Sequence, residues 1–191
     1  MNICVFLSSA DLDERFAGPT DELARLIGSR GHTLVWGGCD AGLMKVVADG
    51  TAASGGRLVG VTVDFLSHKT RWTADEIVVA VDLAERKTLM LAKADAVVIL
   101  AGGLGTLDEA TEILELKKHG MHQKPVVVVN SDGFYDGFKA MLLRMEAEGF
   151  LPVPLNALVH FTDNVTDALG HLESVTGSEP ARGLGALSPA G

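Results

Sequence analysis

The stretch "VVILAGGLGTLDEATEIL" (Val97–Leu114) decides how this chain is read. An unbroken apolar run ends at a turn holding Gly102, Gly103 and Gly105, and a helix-like pattern starts directly behind it. An apolar run without alternation suits a strand covered on both faces, as in a parallel sheet. "KPVVVVN" (Lys124–Asn130) has the same character. Outward from there, strand-like runs "NICVFLSS", "HTLVWGG", "RLVGVTV", "EIVVAV", "DAVVIL", "KPVVVVN" and "ALVHF" alternate with helical patterns near 19–30, 41–54, 82–94, 106–119, 134–148 and 166–175. Residues 64–75 read as irregular. This alternation predicts the α/β class: a Rossmann-like open parallel sheet with helices on both faces. One domain over 1–175 is expected. The remainder, "TGSEPARGLGALSPAG" (176–191), is small and breaker-rich and reads as a disordered C-terminal tail.

The formal charge of −9 argues against non-specific nucleic-acid binding, which needs a basic footprint. It leaves room for an anionic small molecule, because a local site can oppose the global charge. No apolar run approaches the ~18 residues of a membrane span, so no membrane partner is expected. The start "MNICVFLSSADLDE" lacks the basic segment of a signal peptide and reads as a first strand. Cys4 and Cys39 make neither a disulfide framework nor a zinc spacing, and a reducing, cytoplasmic compartment follows as the expectation. The six histidines show no ligand spacing, so neither metal nor cofactor is expected.

A turn between strand end and helix start is where open α/β folds bind ligands. The first-turn N–H groups lack internal partners, and glycines let an anion such as phosphate approach them. A purely structural reading stands beside this one. Thr106-Leu107-Asp108-Glu109 fits a capping box, with Thr106 as N-cap and Glu109 reaching back to it. That reading leaves the three glycines unexplained. "WGGCDAGLMK" (Trp36–Lys45) repeats the arrangement with Gly37, Gly38 and Gly42, so two turns could face one ligand or serve as independent tight turns. Neither turn is a Walker A motif, and G-x-G-x-x-G is absent.

In "DLAERKTLMLAKADA" (Asp82–Ala96), Leu83, Arg86, Leu89 and Met90 share a helical stripe. A guanidinium on that stripe needs a partner. Either Arg86 sits at the edge and pairs with Asp82 one turn back, or it enters a site holding an anion or a carboxylate. Lys87 is a solvated lysine or a second cation near the same anion.

The set "GG…GLM", "ERK" and "GGLGT..E", in this order, resembles the LOG ("lonely guy") phosphoribohydrolases, a family often mislabelled as lysine decarboxylases. The resemblance covers about Asn2–Val175. It implies a Rossmann-like homodimer that hydrolyses the N-glycosidic bond of a nucleoside 5′-monophosphate to free base and ribose 5-phosphate. The implied substrate is a cytokinin riboside monophosphate or AMP-like. Carried over by motif, the catalytic positions fall on Arg86 and Glu109. The substrate-binding candidates are Ser9, Gly38, Lys87, Gly102, Gly103, Leu104, Gly105, Thr106 and Asp108. The chemistry agrees. Ribosyl C–N cleavage builds positive charge on the sugar, and a carboxylate such as Glu109 can stabilise it or orient a water. Arg86 can hold phosphate, polarise groups near the sugar or keep Glu109 ionised, but with a pKa above ~12 it is no proton donor. Ala101, Lys45, Leu83-Ala84, Glu115–Lys118 and the segment 64–76 depart from the family pattern, which leaves the nucleobase open. The alternative is a carrier on the same scaffold, since related chains hold a phosphorylated cofactor such as molybdenum cofactor without turnover. A carrier would not need both Arg86 and Glu109. Amino-acid decarboxylation would need a pyridoxal phosphate lysine, for which Lys45 and Lys87 qualify by type alone.

Overall fold

The computed structural model describes residues 1–177. Seven strands form one sheet: β1 Asn2–Phe6, β2 Thr33–Trp36, β3 Arg57–Val63, β4 Glu76–Ala80, β5 Ala96–Ile99, β6 Val126–Val129 and β7 His160–Thr162. Their order is β4-β3-β2-β1-β5-β6-β7 and every pairing is parallel. The helices are α1 Glu14–Ser29, α2 Gly42–Ala53, α3 Leu83–Lys93, α4 Leu104–Lys118, α5 Asp136–Ala147, α6 Leu155–Leu158 and α7 Val165–Thr176. Among the described residues no helix is long and apolar enough to cross a membrane.

The non-alternating runs are explained by two cores. Ile3, Val5, Leu7, Val98, Leu100, Val127 and Val129 face α1, α2 and α7. Cys4, Phe6, Val97, Ile99, Val126 and Val128 face α3, α4, α5 and α6. Consecutive side chains point to opposite faces, so a strand buried on both must be apolar throughout.

The chain leaves β1 toward β2 on one side, while β5 lies on the other. The crevice at the carboxyl ends of β1 and β5 is therefore the topological switch point. The N–H of Ser8 donates to the Ala101 carbonyl at 3.2 Å, which ties the β1 exit to the turn after β5.

Three expectations shift. Helix α1 starts at Glu14, ahead of Pro19, because the Asp13 carboxylate caps it by accepting the Arg15 N–H. In "ALVHF", Ala157 and Leu158 belong to α6, and β7 begins at His160. In the expected tail, Thr176 ends α7 and Gly177 caps it, while residues 178–191 lie outside the described part of the chain.

Candidate active site

Helix α4 opens at Leu104 with Gly103 as its N-cap, two residues earlier than expected. This overturns the capping box, because Thr106 is an interior residue of the first turn and Glu109 lies a full turn further on. The N–H groups of Leu104, Gly105 and Thr106 thus head the helix with no carbonyl inside it to accept them. Gly103, Leu104 and Gly105 are exposed.

The three glycines divide by cause. A Cβ on Gly102 would lie 2.1 Å from Thr106 Oγ1 and 2.5 Å from Thr106 Cβ. Gly102 is thus required by the buried Thr106 side chain packed over it. A Cβ on Gly103 or Gly105 would meet no atom within 4 Å. The protein's own packing does not demand those two, which fits backbone kept bare for a ligand to approach. Gly102→Ala is therefore expected to cost about 1–3 kcal/mol of stability. Gly103→Ala should leave the melting temperature within about 2 °C while raising KM for a phosphorylated substrate. Thermal melts beside steady-state kinetics check both.

Arg86 points toward a carboxylate, Glu109, and is buried, 9% exposed. Its Nε donates to the Val61 carbonyl at 2.9 Å and its Nη2 to the Gly37 carbonyl at 3.1 Å. Its Nη1 lies 3.5 Å from Glu109 Oε1. The edge pairing with Asp82 is not formed. Asp82 caps α3 instead, accepting the Glu85 N–H at 2.8 Å. Leu83 leaves the expected stripe and is 49% exposed. Two backbone carbonyls thus fix the guanidinium plane and aim the remaining edge at one carboxylate.

Glu109 is 7% exposed. Burial pushes its pKa up, Arg86 pulls it down, and Asp108 adds a smaller upward push; the result is about 7. Arg86 only partly keeps Glu109 ionised, because desolvation wins. A carboxyl titrating near neutrality suits proton transfer. Cys4, fully buried beneath, has its thiol pKa raised by burial and then by Glu109.

Lys87 is not a free cation. Its Nζ lies 2.8 Å from Asp108 Oδ2 and also contacts Glu112 Oε2. Burial opposes its charge, but the two carboxylates outweigh that and raise its pKa. An amine held protonated is a poor Schiff-base nucleophile, which removes the support that residue type alone gave to decarboxylation. Lys45 is likewise paired, with Asp49.

The second turn serves the first. A Cβ on Gly37 would fall 2.0 Å from Arg86 Nη2, and one on Gly42 would fall 2.3 Å from the Ser9 and Ala10 carbonyls. Gly38 adopts φ +73° and its carbonyl accepts the Arg71 N–H at 2.8 Å. Packing accounts for Gly37 and Gly42 and backbone conformation for Gly38, so the turn anchors Arg86 rather than repeating the bare loop. Ser9 is exposed on the β1 exit at the same edge of the sheet.

Three contributors escaped the sequence reading. Glu112 could have been found from its four-residue spacing to Asp108, which puts both acids on one side of α4. The Val61 carbonyl carries no sequence signal. Tyr135, the chain's one tyrosine, donates its hydroxyl to the Leu100 carbonyl at 2.7 Å just before the glycine turn. Burial, then the Glu109 charge, raises its pKa.

The family model described as "Possible lysine decarboxylase" matches residues 44–172. A protein of Mycobacterium tuberculosis named cytokinin riboside 5′-monophosphate phosphoribohydrolase is 39% identical over 151 residues, covering 78% of this chain and 80% of the relative. One of the same name from Mycobacterium marinum is 34% identical over 169 residues, covering 87% and 90%. Among solved structures, the molybdenum cofactor binding protein of Rippkaea orientalis superposes with a TM-score of 0.71 at 21% identity, covering 92% of this chain and 96% of that one. That likeness speaks for the fold. The matched span takes in α3 with its buried arginine and α4 with its buried glutamate, and on that match and those relatives this chain belongs to the LOG family.

Proposed function

We propose that this protein hydrolyses the N-glycosidic bond of a nucleoside 5′-monophosphate, a cytokinin riboside monophosphate or AMP-like compound, to free base and ribose 5-phosphate. The observation that carries this reading is the buried Arg86–Glu109 pair one turn behind a bare, glycine-lined helix start. The relatives named as cytokinin riboside 5′-monophosphate phosphoribohydrolases support it.

In this reading the phosphate sits on the N–H groups of Leu104, Gly105 and Thr106, favoured by the helix dipole. It fixes the ribose so that C1′ lies beside Glu109. As the C–N bond breaks, the bonding pair leaves with the base and positive charge spreads over C1′ and the ring oxygen. The Glu109 carboxylate stabilises that charge and accepts a proton from the attacking water, whose oxygen becomes the C1 hydroxyl. The departing base nitrogen gains a proton and Glu109 gives up the one it took from water, so the carboxylate is restored and one water is consumed per turnover. Arg86 acts as the positioning residue for Glu109. Its bonds to Val61 and Gly37 aim the remaining Nη1 at Glu109, so the phosphate falls to the helix start. Lys87 holds Asp108 and Glu112 in place across α3 and α4. Ser9 and Gly38 border the same edge.

We further propose a homodimer working in the cytoplasm. The exposed apolar residues Val79, Val81 and Leu83, on and just beyond edge strand β4, support pairing, and the free thiols Cys4 and Cys39 support a reducing compartment. Light scattering on the purified protein tests the dimer.

Because the base form of Glu109 is the reactive one, kcat/KM should fall about tenfold per pH unit below an inflection near 7 and level off above it. The function itself is tested with a panel of purine and pyrimidine 5′-monophosphates, scored for free base and ribose 5-phosphate. Release from at least one is expected. A phosphorylated ligand held tightly and recovered intact would favour the carrier alternative.

A further inference from the structure

The amino-terminal edge of the sheet, opposite the proposed catalytic edge, carries a cavity of about 1160 Å³. Its walls bring together the last turn of α4, the start of β7 and the face of α7 through Lys117, His160 and His171. The two imidazoles stack with ring centroids 4.1 Å apart and planes 11° from parallel. Lys117 is half-buried and makes no ion pair among the described residues, although its neighbour Lys118 pairs with Glu115. Burial alone lowers the Lys117 pKa. Burial, then His160 and Lys117, lower that of His171.

The acids at this edge do not compensate these groups. Glu173 is engaged by Arg30 at 2.6 Å and His32 at 2.9 Å, and His32 also meets the Met1 amine. Asp95 accepts the Asn2 N–H at 2.7 Å and faces Lys124, whose own ammonium bonds the Leu91 carbonyl. A lysine in the last turn of a helix suits the dipole, and a histidine stack suits packing. Neither accounts for a half-buried ammonium that shares a cavity with two stacked imidazoles and pairs with no carboxylate among the described residues.

We propose that this cavity is a second ligand site, taking a compact phosphate-bearing anion between Lys117 and the His160–His171 pair. The anion supplies the missing counter-charge. It also makes imidazolium favourable at both histidines, so binding takes up protons. The site stands apart from the reaction, and its test does not depend on the function proposed above.

The probe is pyrophosphate, followed by NMR of the histidine Cε1 protons across a pH titration of the full chain. The pKa values of His160 and His171 should rise by about 0.5 unit or more on saturation. Affinity should be at least about threefold tighter at pH 6 than at pH 7.5. Both effects should persist in Gly103→Ala, which keeps the fold and weakens phosphate binding at the start of α4. They should be lost in Lys117→Gln, which keeps the helix and removes the charge. The proposal is overturned if neither histidine shifts, if the shift survives in Lys117→Gln, or if Gly103→Ala abolishes it.

Discussion

Glu109→Gln is expected to lower kcat/KM by about 10³-fold at pH 8 with the fold intact, as removal of a general base does. Glutamine fills the same space and can still meet the Arg86 guanidinium, but it neither accepts a proton nor carries charge toward a cationic sugar. KM should change far less than kcat, because the phosphate contacts at the start of α4 remain. The wild-type inflection near 7 should vanish from the residual rate. The same substitution should flatten part of the stability profile. A carboxyl whose pKa is raised in the folded state stabilises most at low pH, and that contribution is lost as pH rises from the unfolded value of 4.5 to about 7. Wild type should lose relative stability across that window and the variant should not. Urea denaturation at pH 4.5 and pH 8 measures it.

Arg86→Ala has the second large effect, and of a different kind. It removes the donors to Val61 and Gly37 and leaves Glu109 buried without its counter-ion. At pH 8 the loss of stability should be about 3–5 kcal/mol, as for other broken buried pairs. Arg86 lowers the Glu109 pKa more than Lys87, the other cation that does so, and its removal should move the inflection of the pH–rate profile to the alkaline side. A role confined to packing would not move it. Arg86→Lys tests the fork geometry: a single ammonium cannot serve two carbonyls and a carboxylate in one plane, so it should recover charge but little rate. Fluorescence-monitored unfolding and pH–rate profiles of both variants check these outcomes.

The sheet and its helices were legible because strands buried on both faces have no polar position to spare, as in Val126–Val129. The glycine turn was legible because two of its glycines answer to no internal contact. What local sequence could not deliver was the partner of Arg86. Its anchors, Val61 and Gly37, lie 25 and 49 residues away, and both contribute carbonyls that every residue possesses. The same distance hid the reason for Gly37, which looked like a ligand-facing glycine and proves to be the floor under a guanidinium. Thr106 misled for a local reason. A threonine three residues before a glutamate satisfies the capping pattern, yet Gly103 is free to take the cap and lets the helix begin earlier. Lys87 read as a solvated lysine or a second cation near the ligand; its pairing with the acids at 108 and 112 carried no signal in its own segment.

The proposed placement of substrate is tested most directly by a crystal structure of the Glu109→Gln variant with a cleavable nucleoside 5′-monophosphate trapped intact. The phosphate is expected on the N–H groups of Leu104, Gly105 and Thr106, with C1′ within about 3–4 Å of the residue-109 side chain. A phosphate seated elsewhere, or a ribose turned away from position 109, would contradict it.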